Sequence, residues 1–345
     1  METSLKTEAY KKSRPYFTVI VLDYVRHEFT KTTVESVIHQ RIPTDLFELL
    51  ILTDNENEDF SYIPQCLAAK VIYTGLIKPG ESMLLGASMA RGDVICQMDN
   101  DDQWSNEKLS DLLFYFKQYP NVVFIKDECT PFSDSKVNGL KLGYNLRMNS
   151  GTHTSGRFYI LDDHTPAKIL GRSLMHNSSS MSFKKSILIK ESEYISGLTN
   201  INDVSIFLIG ALNDGSIGFL DKILTYYRVP DKSNGRKSLS QKLNSKLIFR
   251  DNFEKCYQHF SPKIQTCNKD YLKQLFFNFK ISSKIILNLR YDQHYFLNKR
   301  DVFKFFLNSL RGQALNSTLL VVLLILHKFF GKRTIKLAGW EYNDL

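Results

Sequence analysis

Short apolar runs that each end at an aspartate limit the folds open to this chain more than any other feature. Phe17-Thr-Val-Ile-Val-Leu22 is closed by Asp23, Leu46–Leu52 is followed by Thr53 and Asp54, and Asp93–Met98 runs directly into Asp99-Asn100-Asp101-Asp102. The runs are short and aliphatic, as strands buried on both faces of a parallel sheet are. Between them lie segments of helical periodicity. Thr32–Gln40 puts Val34, Val37 and Ile38 on one face, and Ser82–Ala90 ends at Arg91-Gly92, where Gly92 is expected as a C-cap. A further short strand is expected at Lys70–Tyr73. The alternation specifies an α/β fold with a mostly parallel sheet flanked by helices. Sheets of this kind bind ligands at the carboxyl ends of their strands. Asp23, Asp54, Asp99 and Asp101 all fall at that edge.

The group Asp99-Asn100-Asp101-Asp102 has a specific electrostatic problem. Three carboxylates in four residues at the end of a buried strand repel one another, and a cation or a basic ligand offsets that repulsion. Mg²⁺ and Mn²⁺ prefer oxygen ligands and bridge one or two carboxylates to a diphosphate. In an extended segment Asp99 and Asp101 reach different depths of one site. A solvated acidic turn before the helix starting near Asn106 is the alternative reading of the same residues.

These segments, taken in order, resemble the family 2 glycosyltransferases of GT-A fold over residues 17–230. Residues 17–26 are similar to the family's opening strand and nucleotide-contact turn. Ser36-Val-Ile-His-Gln40 resembles its S-x-x-x-Q helix end, and Glu48-Leu-Leu-Ile-Leu-Thr-Asp54 its second strand. Gly86–Ile95 resembles the helix and A-x-G turn before the acidic strand, Met98–Trp104 the D-x-D-D-x-W site, and Lys108-Leu109 the helix after it. Asn177–Lys185, Asn202-Asp203 and Leu224–Val229 are similar to later elements, the second of these standing where the family has an E-D pair. The chain departs from the pattern at Leu22 (usually proline), Val25 (usually asparagine), Thr53 (usually aspartate) and Asn202 (usually glutamate).

The resemblance implies a GT-A, Rossmann-like domain over 17–230. A short N-terminal tail (1–16) precedes it and a helical C-terminal extension (231–345) follows. It also implies an inverting transfer of a sugar from a nucleotide-diphosphate donor to an acceptor hydroxyl on a glycan, a lipid-linked glycan or a polysaccharide precursor. Asp203 is then the general base, and an aspartate needs no special activation to be ionised at neutral pH. Leu22, Asp23, Tyr24 and Asp54 line the nucleotide pocket, with Asp54 on the base. Asp99 approaches the ribose, and Asp101 binds Mn²⁺ or Mg²⁺. Asp102 and Trp104 face the acceptor, Trp104 having packing under the loop as its other role. His176 and Arg228 are candidates for the diphosphate, and Lys78 is a weaker one. Read without the resemblance, Asn202 or Asp203 is a helix N-cap.

Other classes fit less well. A sugar nucleotidyltransferase needs a glycine-rich phosphate loop near its N-terminus, and residues 17–30 contain no glycine. A dehydrogenase needs G-x-G-x-x-G after the first strand, which is absent. A non-catalytic sugar or nucleotide binder on the same fold is the remaining alternative.

Charge separates the C-terminal part from the rest. Residues 231–345 hold 21 Lys/Arg against 8 Asp/Glu, whereas residues 1–230 hold 24 against 28. The C-terminal lysines are interleaved with Phe, Leu and Ile, which favours amphipathic helices on an anionic membrane surface over nucleic-acid binding. Residues 239–330 read as helical, with Leu272, Leu275, Phe276 and Phe279 as one apolar stripe. Leu315–Leu326 is apolar but shorter than the ~20 residues of a membrane span, so it reads as a buried or an in-plane helix rather than a span, and residues 310–336, with Lys332, Arg333 and Lys336, offer a surface suited to anionic headgroups. Cys66, Cys96, Cys129, Cys256 and Cys267 form no C-x-x-C pair. Their odd number, with no apolar N-terminal leader, leads to the expectation of a reducing, cytoplasmic setting.

Overall fold

A computed structural model of the chain describes residues 14–24, 26–75, 78–132, 154–170, 174–198, 203–229, 239–291 and 297–311. Val25, Asn202, the polar linker 231–238 and the apolar run 315–326 lie outside the described residues.

The opening strand β1 (Phe17–Asp23) is buried along its whole length. A short 3-10 turn (His27–Phe29) leads into α1 (Thr30–Ile38). The chain continues through β2 (Phe47–Thr53), β3 (Ala68–Tyr73), α2 (Pro79–Met89), β4 (Val94–Asp99), the two-residue β5 (Gln103–Trp104) and α3 (Lys108–Gln118). Next come β6 (Val122–Phe132), β7 (Phe158–Leu161), the single turn α4 (Ala167–Leu170), β8 (Met181–Lys184), α5 (Lys185–Lys190), α6 (Ser192–Ser196), α7 (Asp203–Leu212) and β9 (Ser216–Arg228). Three helices follow, α8 (Leu239–Thr266), α9 (Asp270–Tyr291) and α10 (Lys299–Arg311).

Among the described residues one sheet contains all nine strands, in the order β3-β2-β1-β4-β8-β6-β9-β5, with β7 paired to β9. The quartet β3-β2-β1-β4 is parallel throughout, as the strand–helix alternation predicts. Beyond β4 the sheet is mixed. β8 runs antiparallel to both β4 and β6, β6 is parallel to β9, and β5 and β7 are antiparallel to β9. Register aligns Asp23 with Thr53 and Leu22 with Asp99. The aspartate-bearing ends of β2, β1 and β4 therefore stand side by side on one edge.

Both faces of the sheet are covered, which is why its strands read as unbroken apolar runs. Ile20 and Leu22 point to a core shared with Met83, Ala87, Phe207 and Leu208. Val19 and Val21 point to the other, with Val34, Val37, Leu109 and Leu112. The C-terminal helices belong to the first of these cores. Cys256, Phe260 and Ile264 of α8 and Leu272, Leu275 and Phe276 of α9 are buried in it, with Phe279 packed against it. Glu191 joins this packing from outside, accepting hydrogen bonds from Lys263 Nζ at 2.7 Å and contacting His259 Nε2 at 2.8 Å.

Gly92 has a different role from the expected cap. Helix α2 is terminated by Ala90 in extended conformation, and Gly92 lies against the β1 backbone. A Cβ there would sit 2.5 Å from the Phe17 carbonyl carbon. The Gly92 N–H donates to Thr18 Oγ1 at 2.9 Å, so close approach, not a left-handed turn, requires the glycine.

Candidate active site at the carboxyl edge of the sheet

The acidic turn is held from below by residues of the S-x-x-x-Q segment. Ser36 Oγ accepts the Trp104 N–H at 3.1 Å. Gln40 Nε2 donates to Ser105 O, and its Oε1 accepts the Leu109 N–H, both at 2.9 Å. Gln40 thus links the end of α1 to the start of α3. Thr33 Oγ1 lies between the carbonyls of Asn100 and Asp102, 2.8 and 2.7 Å away. Helix α1 is therefore a brace for the 99–104 segment.

Asp23, expected in the nucleotide pocket, is a buried hub. Its Oδ1 accepts from Thr30 Oγ1 at 2.5 Å and Asn100 Nδ2 at 2.8 Å, and lies 2.9 Å from His27 Nδ1. Its Oδ2 accepts from Thr53 Oγ1 at 2.7 Å. These partners tie the ends of β1, β2 and β4 together. Asp54 sits beside the hub, its Oδ1 3.2 Å from His27 Nε2. Leu22 is buried, and Tyr24 is half-buried with its hydroxyl 2.8 Å from Thr74 Oγ1 and donating to Ser82 Oγ at 2.6 Å.

Four carboxylates converge beyond this brace. Burial pushes the Asp99 carboxyl well above the usual range, and the neighbouring charges of Asp102, Asp203 and Asp101 push it further. Its Oδ2 accepts from Ser178 Oγ at 3.1 Å. Asp203, the first residue of α7, accepts the Asn177 N–H on Oδ2 at 2.8 Å. Asn177 itself stands at φ 65°, so the turn before β8 is held in a conformation uncommon for a residue with a Cβ. Asp101 makes an ion pair with Arg26, the last residue of the segment that resembles the nucleotide-contact turn.

The remaining expected site residues are anchors in this structure. Asp102 is fully buried, accepting the Arg228 N–H at 3.0 Å and Asn177 Nδ2 at 2.9 Å. Burial, then the Asp101 charge, raises its carboxyl above the ordinary range. Trp104 is 3% exposed and donates Nε1–H to Ser179 O at 2.9 Å, which is its packing role and leaves little surface for an acceptor. Arg228 is also buried. Its Nε donates to Asp101 O at 2.8 Å, and its guanidinium lies 4.1 Å from the Phe29 ring centre and 4.5 Å from that of Phe132. This is a stacked arginine bracing the Asp101 backbone. His176 is half-buried and packs edge-on to Tyr227. Lys78 pairs with Glu81 at 3.7 Å.

The donor set fits a hard divalent ion only in part. Among the described residues no group of three or more His, Cys, Asp or Glu side chains is arranged to hold a metal. Hard cations in phosphate sites commonly take one or two carboxylates and complete their shell with phosphate oxygens and water. Asp101, partly exposed on the rim of the acidic cluster, fits that pattern.

Comparison with known proteins bears on the family and the fold. The sequence profile described as glycosyl transferase family 2 matches residues 18–181. A search of curated protein sequences finds no match. Among solved structures, TarS residues 1–349 from S. aureus in complex with UDP-GlcNAc is 15% identical with a TM-score of 0.53, covering 95% of this chain and 91% of that one. Mannosyltransferase PcManGT from Pyrobaculum calidifontis, in complex with GDP-Man and Mn²⁺, is 13% identical with a TM-score of 0.53, covering 95% and 85%. At such identities these likenesses speak for the fold. Profile match and fold agree in their direction: residues 18–181 of this chain match glycosyl transferase family 2, and the fold is that of known glycosyltransferase structures.

Proposed function

We propose that this nucleotide-sugar glycosyltransferase works by a single inverting displacement, with Asp203 as the base and Asp101 as the metal ligand. The observation that supports the reading is the link of Asp203, at the start of α7, to the acidic turn through Asn177, whose N–H donates to Asp203 Oδ2 at 2.8 Å and whose Nδ2 donates to Asp102 Oδ2 at 2.9 Å. One carboxylate faces the cluster from a separate element, as a base opposite a leaving group must. Asp203 takes the proton of an acceptor hydroxyl, and that oxygen attacks the anomeric carbon as its bond to the diphosphate breaks. In this reading Asp99 approaches the ribose and Asp54, which lies beside His27, contacts the base. A divalent ion, Mn²⁺ or Mg²⁺, bound at Asp101 supplies charge neutralisation for the departing nucleoside diphosphate. The structures of TarS with UDP-GlcNAc and of PcManGT with GDP-Man and Mn²⁺ support a donor of this class and a divalent ion.

The acceptor reading is a glycan or lipid-linked glycan reached from a membrane face. Among the described residues no helix is long and apolar enough to cross a membrane. The described part of the basic region ends in α10, where Phe303 and Leu307 stand exposed beside Lys304. That composition suits a peripheral contact with anionic lipid.

Donor hydrolysis tests the reading. With Mn²⁺ and a panel of UDP- and GDP-sugars, slow release of free sugar of inverted anomeric configuration is expected. Loss of that release in Asp101→Asn is expected as well. Absence of hydrolysis and transfer with every donor, despite nucleotide binding, would favour the non-catalytic binder.

A further inference from the structure

Arg26 is the residue at this edge that the reaction does not use. Its backbone lies in the left-handed region at φ 61° and ψ 40°, a conformation costing about 1–2 kcal/mol for a residue with a Cβ. Asn100 holds the loop there. Its Nδ2 donates to Arg26 O at 3.3 Å and is also within reach of Asp23 Oδ1 at 2.8 Å and Thr30 Oγ1 at 3.1 Å. The loop after β1 and the acidic turn after β4 are thus stitched together beneath the arginine. The guanidinium above remains 40% exposed and pairs with Asp101, whose side chain is 15% exposed. The backbone of the residue is held by Asn100, while its charged end is partly open to solvent.

The pairing bears on any cation that approaches Asp101. A guanidinium keeps its charge at every accessible pH, so it leaves a carboxylate only through competition. A divalent ion arriving alone must displace it, and the nearby carboxylates of Asp99 and Asp102 are already taken by Ser178, by Asn177 and by the Arg228 N–H. An ion arriving with a nucleoside diphosphate brings a further anion. Arginine matches phosphate oxygens in the same forked geometry that it offers carboxylates.

We propose that Arg26 is a counter-ion latch on the metal position. It neutralises Asp101 in the donor-free protein and passes to the diphosphate when metal and nucleotide bind together. The proposal rests on the assignment of Asp101 as metal ligand. It makes metal and nucleotide binding mutually cooperative, a coupling that is reciprocal by thermodynamic necessity.

Mn²⁺ binding followed by electron paramagnetic resonance, with and without UDP or GDP, tests it in the wild type, Arg26→Gln, Arg26→Lys and Asp101→Asn. Arg26→Gln is expected to bind Mn²⁺ alone about tenfold more tightly than the wild type, the scale of one charge-assisted pair. Its gain in Mn²⁺ affinity on adding nucleotide is expected to shrink by a similar factor. Arg26→Lys keeps the charge and is expected to stay nearer the wild type, which separates charge from any loss of fold. If Asp101→Asn abolishes Mn²⁺ binding while Arg26→Gln binds no more tightly than the wild type, the latch is overturned and the metal assignment stands. If Asp101→Asn binds Mn²⁺ as the wild type does, both are overturned.

Discussion

Lys108 Nζ lies 2.6 Å from Asp127 Oδ2, and neither side chain has any solvent exposure. The same ammonium donates to Ser179 O and Thr225 Oγ1, both at 2.8 Å, and sits 4.5 Å from the Trp104 ring centre. Burial lowers the Lys108 pKa, opposed by the charge and hydrogen bond of Asp127. Ser179 in turn accepts the Asp99 N–H on its Oγ at 3.0 Å. A charge pair inside the core therefore reaches the acidic edge through one serine.

Removing one partner of that pair should be far worse than removing both. Lys108→Met is expected to cost about 3–5 kcal/mol because it strands Asp127, whereas adding Asp127→Leu should recover much of the loss. Urea unfolding of the two single variants and the double variant measures this. Equal losses in the single and double variants would contradict it.

Asp203→Asn separates chemistry from capping. Asparagine suits a helix start about as well as aspartate does, and it keeps an acceptor for the Asn177 N–H. Stability should change by less than about 1 kcal/mol, while turnover should fall by about 10²- to 10⁴-fold as the base is lost. Thermal melts beside initial rates report both. A parallel fall in melting temperature and rate would point to a structural role alone.

Glu48 predicts part of the acid sensitivity. Burial raises its carboxyl, but hydrogen bonds from Thr18 Oγ1 and from the Arg91 N–H and guanidinium outweigh that and leave it below the ordinary range. A carboxyl lowered by folding contributes stability above its unfolded pKa and loses it as pH falls through the folded value. Glu48→Gln should therefore lower stability at neutral pH by about 2 kcal/mol and flatten the loss below about pH 4.5. Denaturant midpoints from pH 7 to pH 3 test the slope, and an unchanged slope would count against it.

The basic C-terminal segment makes a cellular prediction. A chain ending before residue 310 should move from the membrane fraction to the soluble fraction while keeping donor hydrolysis. Flotation with anionic vesicles measures the first part, and unchanged partitioning would remove the membrane reading.

Much of the sheet was legible in the sequence because its first strands are buried on both faces and so lack polar interruptions. β1, β2 and β4, and their aspartate ends, follow from that alone. β6 was not legible, since Lys126, Asp127 and Glu128 lie in the middle of a strand and look like a solvated stretch. Their partners, such as Lys108 and Thr225, are distant in sequence or on another element. The same physics hid the anchors. Asp23, Asp102, Trp104 and Arg228 carry polar groups at the ligand edge, and no periodicity says that Thr30, Asn100, Asn177 and Ser179 would claim them. Arg26 was hidden because its pairing depends on a single left-handed residue, which sequence pattern does not announce.

The burial of Phe260 and Leu272 against the sheet has a practical consequence for anyone dissecting the molecule. The last strand ends at Arg228, yet the covering of one flank is completed by residues thirty to fifty positions further on. A fragment cut at the apparent domain boundary would leave that flank bare to water and prone to self-association. The sheet and the helices that follow it share one buried core.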